Sequence, residues 1–229
     1  MPWEPVTGMP DGVLALVTTR AMGSYGLGDG APVGAVIGRW RALQGDLAAR
    51  GARRLACAHQ VHGAAVATHG AGWHGWLRLE GVDGHFTQCR GTALAVTVAD
   101  CTPVLMAHPR GAVAALHAGW RGTAAGILSA GLAEMERHGY PAAECVVHLG
   151  PAICGACYEV GPEVLEAVHG TPAAGRGRLD VRAVLAAQAR EAGVSAVSAS
   201  PWCTRCHGDR FFSHRGGDAG RLLGIIALL

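Results

Sequence analysis

The stretch TVADCTPVLMAHPRGAVAALHAGWRG (residues 97–122) holds two apolar runs that each end on a reactive side chain. The spacing predicts one strand over residues 92–99, finishing on Asp100-Cys101. It predicts a second over residues 112–117, finishing on His117 and opening into Gly-Trp-Arg-Gly. Pro109-Arg110-Gly111 supplies the turn between them. One apolar run that stops at a polar residue is an ordinary buried strand. Two in succession, set as an antiparallel pair, deliver a thiol and an imidazole to one place.

Outward from this stretch, residues 13–17 form a β-rich run that ends at Thr18-Thr19-Arg20. A Gly-rich turn follows, in which Gly26-Leu-Gly28-Asp-Gly30 lacks the third glycine spacing of a dinucleotide loop and reads as plain loop. A helix is expected from about residue 33 to 50. Residues 53–69 read as a hairpin with Gln60-Val61-His62-Gly63 at its corner, and residues 70–82 as a loop with a short strand. Beyond Gly122 a single helix is expected, because Ala124, Ile127, Leu128, Leu132 and Met135 share one face and Gly139 ends it. Residues 145–149 form another strand. Pro162 and Gly170 bracket a short helix, Asp180 caps another that ends at Gly193, and residues 222–229 are the last strand. Strands and helices mix without strict βαβ alternation, which favours a single α+β domain over residues 1–229.

Composition narrows the function. Half of the 229 residues are apolar and 16% are charged, as in a globular chain. The 19 basic residues are all arginine, so there is neither a Schiff-base lysine nor a Walker-A lysine. A net charge of +2 without a basic stripe argues against nucleic acid, and no apolar stretch has the length of a membrane span. The N-terminal MPWEPVTGMPDG lacks the basic start and apolar core of a secretory leader. The eight cysteines are therefore expected as thiols or ligands in a reducing, cytoplasmic compartment. The expected state is a monomer.

The residue types at the strand ends suit zinc. Open zinc sites take three ligands from His, Cys and carboxylates and keep a fourth position free. Cys101, His117 and, from the other corner, His62 make such a set. A helix N-terminus soon after His117 would let Arg121 and its neighbours hold an anion beside the metal. Cys154-Gly-Ala-Cys157 and Cys203-Thr-Arg-Cys206 also have ligand spacing. The roughly 45 residues between them hold two predicted helices, far more than the loop of a zinc ribbon, so one metal per chain is expected. Cys57, Cys89 and Cys145 read as small buried side chains. The cytidine-deaminase pattern and HExxH are both absent.

The motifs QVHG (60–63), VDGHFTQ (82–88), TVADCTPVL (97–105), HAGWRG (117–122), LGPAICGACYEVG (149–161) and FFSHRGGDAGR (211–221) resemble the laccase-domain family, also called the multicopper polyphenol oxidase or YfiH-like family. The resemblance covers almost the whole chain from about residue 13. It implies an α+β fold in which helices flank stacked mixed sheets, in αββα layers. It also implies a zinc site formed by His62, Cys101 and His117, the set selected above on chemical grounds. The implied activity is phosphorolysis of purine nucleosides (adenosine, inosine, guanosine and methylthioadenosine) with adenosine deamination beside it, and the implied partners are those nucleosides and inorganic phosphate. The oxidase label does not fit the chain's chemistry, since no His-x-His pair occurs. The chain departs from the family pattern after Arg20, where the usual Gly-Gly-Val-Ser turn is replaced by Ala-Met-Gly-Ser and the following segment is short.

With that activity in view, Arg20, Arg121 and Arg215 are the candidate phosphate ligands. Asp83 is a candidate acid/base or ribose contact, or the cap of a Gly turn. Gln60 either orients a purine edge or bonds to backbone. Two other readings use the same residues: a metal-free hydrolase or amidase with Cys101 as nucleophile and His117 as base, and a non-catalytic purine or metal sensor.

Overall fold

Two six-stranded mixed sheets lie face to face among the described residues, 3–28 and 30–229 of this computed structural model. Met1, Pro2 and Asp29, the last within the Gly-rich turn expected over residues 26–30, lie outside them. The first sheet runs β1 (Trp3–Pro5), β2 (Val13–Thr18), β14 (Leu222–Leu228), β7 (Thr92–Val98), β3 (Arg54–His59) and β5 (Gly75–Glu80). It is antiparallel from β1 to β7 and parallel from β7 to β5. The second runs β13 (Ala196–Ala199), β10 (Val146–Leu149), β8 (Thr102–His108), β9 (Ala112–Ala118), β6 (Gly84–Thr87) and β4 (Val66–Thr68). Its centre is antiparallel and its two outer pairs are parallel. β11 (Glu159–Val160) and β12 (Gly177–Arg178) form a short ribbon.

Helices cover both outer faces. Val36, Trp40, Leu43 and Leu47 of α1 (Val33–Ala49) pack on Leu16, Leu55, Ala93 and Ile225 of the first sheet. Ile127, Leu128, Leu132 and Met135 of α3 (Ile127–Arg137) and Leu185 of α5 (Val181–Glu191) pack on Val104, Met106, Ala114 and Leu116 of the second. Between the sheets, Ala56, Leu94, Val96 and Val98 meet Leu105, Ala107, Val113 and Ala115. The layers are therefore αββα. Strands covered on both faces read as continuous apolar runs and not as alternation, and β8, β9 and β14 are buried along their whole length. Gly224 of β14 permits the sheets to close: a Cβ there would stand 2.4 Å from Cβ of Pro103 in β8.

The expected strand pair is revised. Residues 92–99 and 112–117 do not pair with each other, because β7 belongs to the first sheet and β9 to the second. The chain crosses between sheets at Ala99-Asp100-Cys101, and residues 102–108 form β8, a strand of their own that pairs antiparallel with β9. The Pro109-Arg110-Gly111 turn joins β8 to β9, with Gly111 at φ 92°. Residues 53–69 are not a hairpin for the same reason: β3 and β4 lie in different sheets, and QVHG is the second crossover. The single helix expected after Gly122 is two, α2 (Trp120–Ala124) and α3, because Gly126 breaks it in the left-handed conformation at φ 80°. The helices expected from Pro162 and Asp180 are found as α4 (Pro162–His169) and α5, with Asp180 accepting from the Ala183 N–H.

Candidate active site

The two crossovers meet. QVHG leaves β3 of the first sheet and Ala99-Asp100-Cys101 leaves β7 beside it, so both corners reach the end of β9 where His117 stands. Thr102 pairs with Ala118, which sets Cys101 next to Gly119. One donor atom from each of His62, Cys101 and His117 lies within 4.8 Å of the others. His62 is exposed, Cys101 half-buried and His117 buried.

Asp83 organises this cluster from behind. It is fully buried, at 0% exposure, and its Oδ1 accepts from His117 Nδ1 at 2.8 Å and from the His62 N–H at 2.9 Å. Its Oδ2 accepts from the N–H groups of Val61 (3.1 Å) and Gly63 (2.8 Å). These bonds hold His62 at φ 62°, in the left-handed region that costs a non-glycine residue about 1–2 kcal/mol. Burial alone would raise the Asp83 carboxyl, but the hydrogen bonds from His117, Gly63 and Val61 outweigh it and keep its pKa below the usual carboxylate value. Asp83 lines neither cavity at the site, and of the roles open to it from the sequence, its bonds to the N–H groups of residues 61–63 fit the cap of a turn.

The same ordering acts on the thiol. Burial would raise the Cys101 pKa, yet the His117 charge and hydrogen bonds from His117 and His62 draw it down to about 6. For His117 burial works in the other direction, and Cys101 with Asp83 holds its pKa at about 9. With Nδ1 committed to Asp83, His117 has Nε2 for the cluster, which is the carboxylate–histidine arrangement found behind metal-bound imidazoles. A soft thiolate and two imidazoles, with room for a fourth ligand, fit zinc.

Two cavities flank the cluster. The larger, about 420 Å³, is bounded by Tyr25, Leu27, Gln60, Arg78, Thr97 and Arg221 together with the three donors. The other, about 390 Å³, contains Arg121 and Arg215 with Trp120 and Tyr158. His62, Ala99, Cys101 and His214 border both. Arg121 lies over the Trp120 ring at 4.3 Å and Arg215 over Tyr158 at 4.8 Å. Arg20 is elsewhere: it pairs with Asp218 at 2.7 Å, donates to the Phe211 carbonyl and borders neither cavity. Gln60 is occupied with backbone, exchanging hydrogen bonds with Thr97 N and O at 2.7 and 2.8 Å.

Some residues of the site carry no chemical signal in the sequence. Asp100, at φ 78°, accepts from Thr204 Oγ1 (2.6 Å) and from the Arg215 N–H (2.7 Å), which aims Cys101 at the cluster. Gly119 is a space requirement, since a Cβ there would lie 2.9 Å from Cys101 Sγ. Tyr158 and His214 reach the site from loops far along the chain.

The chain is similar to several known proteins. Residues 23–229 match the family described as multi-copper polyphenol oxidoreductase laccase. "Purine nucleoside phosphorylase ORF3" of Streptomyces griseus is 40% identical over 211 residues, covering 86% of this chain and 86% of that protein. "Adenosine deaminase RL5", from an unknown prokaryotic organism, is 40% identical over 159 residues, covering 62% of this chain and 61% of that protein. The crystal structure of YlmD from Geobacillus stearothermophilus superposes with a TM-score of 0.91 at 30% identity, over 100% of this chain and 96% of that one.

Proposed function

This chain belongs to the multi-copper polyphenol oxidoreductase laccase family, and on that premise we propose that it is a zinc-dependent purine nucleoside phosphorylase with adenosine deamination as a second activity. Its substrates are adenosine, inosine, guanosine and methylthioadenosine, with inorganic phosphate as co-substrate. The observation that carries the reading is the donor set of His62, Cys101 and His117 between two cavities, one with Arg121 and Arg215 beside the metal ligands and a larger one with Arg78 and Arg221. The names borne by the relatives from Streptomyces griseus and the unknown prokaryote support both activities.

Phosphorolysis forms a bond from a phosphate oxygen to the ribose C1′ and breaks the bond from C1′ to the purine nitrogen, whose electron pair leaves with the base. Arg121 and Arg215 face one cavity, where they hold phosphate by charge-assisted hydrogen bonds. The larger cavity takes the nucleoside, so that C1′ meets phosphate at the border formed by His62, Cys101 and His214. His62, Cys101 and His117 would hold zinc, with Asp83 orienting the His117 ring through Nδ1 and fixing the backbone that carries His62. A zinc ion held by these residues would supply Lewis-acid character and a water of lowered pKa, the chemistry that deamination at C6 requires.

A second reading rests on a specific feature: Cys101, His117 and Asp83 also stand in the order of a thiol–imidazole–carboxylate triad. The test is conversion of inosine and phosphate to hypoxanthine and ribose 1-phosphate, by protein verified metal-free and then by the same protein with zinc restored. Turnover should vanish and return. Arg121→Gln should raise the KM for phosphate about 10- to 150-fold, the effect of one lost charge-assisted bond of roughly 1.5–3 kcal/mol, with zinc content unchanged. Turnover that survives in metal-free protein assigns the site to the triad, and an unmoved phosphate KM in both Arg121→Gln and Arg215→Gln removes phosphate from that cavity.

A further inference from the structure

The two CxxC pairs, expected to stay apart, are brought together. The sulfurs of Cys154, Cys157, Cys203 and Cys206 all lie within 4.8 Å of one another, and those of Cys157 and Cys206 are 3.4 Å apart. The intervening helices α4 and α5 do not prevent this, because they pack against the second sheet and return the chain to it through β13. A parallel bridge then pairs Ala152 with Cys203, and Thr204 donates its N–H to the Ala152 carbonyl at 3.2 Å.

We propose that Cys154, Cys157, Cys203 and Cys206 form a second metal site, a closed four-thiolate zinc centre that ties the segment after β10 to the loop before β14. Tetrahedral zinc with bonds of about 2.3 Å to sulfur sets its ligand sulfurs about 3.8 Å apart; the Cys157–Cys206 pair stands at 3.4 Å and the whole set within 4.8 Å, so small side-chain adjustments bring the four to that spacing. Two short turns supply the pairs, as in zinc knuckles: Cys154 caps a single 3-10 turn over Gly155–Cys157, and Cys203 to Cys206 is a turn of its own. The second observation is the direction of the backbone amides. Cys154 N–H and Cys206 N–H both point at Cys203 Sγ, at 3.3 and 3.4 Å, which stabilises a thiolate there and has no comparable value for a buried neutral thiol.

The knot also bears on Cys101. Asp100 is gripped from both of its halves: Ile153, just before Cys154, donates its N–H to the Asp100 carbonyl at 3.0 Å, and Thr204, between Cys203 and Cys206, donates Oγ1 to the Asp100 carboxylate. A filled four-thiolate centre thus fixes the strained residue that carries Cys101, while its own ligands touch neither cavity. The proposal of this centre does not rest on the reaction assigned to the first site.

The test measures metal per chain in full-length protein purified under reducing conditions. Wild type should hold about two zinc ions, and both His62→Ala and the double variant Cys157→Ser/Cys206→Ser about one. Cobalt(II) loading of Cys101→Ala gives a second readout that does not depend on the double variant folding. That protein has no thiolate at the first site, so thiolate-to-cobalt charge transfer with a tetrahedral d–d envelope must come from the four cysteines. A single zinc in wild type that is lost in His62→Ala overturns the proposal. So does a Cys101→Ala protein that shows no thiolate–cobalt absorption, or four freely alkylated cysteines in protein that retains its metal.

Discussion

Asp83 determines how the donor residues are held, although it lines neither cavity. Its Oδ1 fixes the His117 imidazole by a ring nitrogen and His62 by its backbone N–H, while Oδ2 holds the N–H groups on either side of His62. Asp83→Asn keeps the volume but replaces one acceptor oxygen by a donor, so at least one N–H in the 61–63 turn or the His117 ring loses its partner. Removal of such an outer partner lowers metal affinity about 10- to 100-fold. We expect that fall in a zinc-competition titration, together with lower turnover at limiting zinc that recovers at saturating zinc. Unchanged affinity would show that the carboxylate serves the turn alone. At this scale the three donors were legible from the sequence, since each ends an apolar run or corner. Which role Asp83 takes was not, because an aspartate before glycine suits a cap and an acid/base equally. The four-cysteine cluster was not legible either, because sequence separation says nothing of distance once two helices fold back.

Among the elements, the deciding feature is that β7 and β8 follow each other in sequence but lie in different sheets. Periodicity cannot reveal this. Strands buried on both faces show no alternation, so residues 92–118 read as two apolar runs where three strands exist. The break between α2 and α3 was hidden in the same way, because the apolar face continues across Gly126 while the backbone does not. The helix caps at Pro162 and Asp180 could be read because their signals are local. The short α2 begins at Trp120 directly after Gly119, and this close approach gives a sharp expectation. Gly119 has an ordinary backbone conformation at φ −83°, so alanine is allowed there by the chain. Its methyl group, however, would stand 2.9 Å from Cys101 Sγ and 3.3 Å from His62 Cδ2. Overpacking of this kind costs about 1–3 kcal/mol, and here it falls on two of the three side chains proposed to hold zinc. Gly119→Ala should therefore stay folded by circular dichroism but bind zinc at this site about 5- to 150-fold more weakly. Normal zinc affinity with reduced thermal stability would place the strain in the fold and not in the donors.

For the whole molecule, the site sits where both sheets terminate, so a metal held there would be linked to global stability. Ala56, Leu94 and Val96 share one buried cluster with Leu105, Val113 and Ala115, and neither sheet can open without exposing the other. A ligand that binds only the folded chain stabilises it by about 4.1 kcal/mol when present at 1,000 times its Kd. In a chain of this size each kcal/mol moves the midpoint by roughly 2–4 °C. The sign of the pH effect follows from the metal-free pair. Cys101 at about 6 and His117 at about 9 mean that at pH 7 the thiolate is formed while His117 carries a proton. Zinc displaces that one proton from the pair at pH 7; below pH 6 it must displace the thiol proton too. Affinity should thus fall roughly 10-fold per pH unit between 9 and 6 and roughly 100-fold per unit below 6, on this pair alone. The zinc-dependent rise in Tm should shrink accordingly between pH 7 and pH 5 at fixed free zinc. The increment is measured by calorimetry as the difference between wild type and His62→Ala, which weakens this site and leaves the four-cysteine cluster intact. A single transition whose increment collapses in acid fits a metal held by Cys101 and His117 at the junction of the two sheets. An increment that is flat with pH, or a transition that splits in two, contradicts either the ligand set or the shared core.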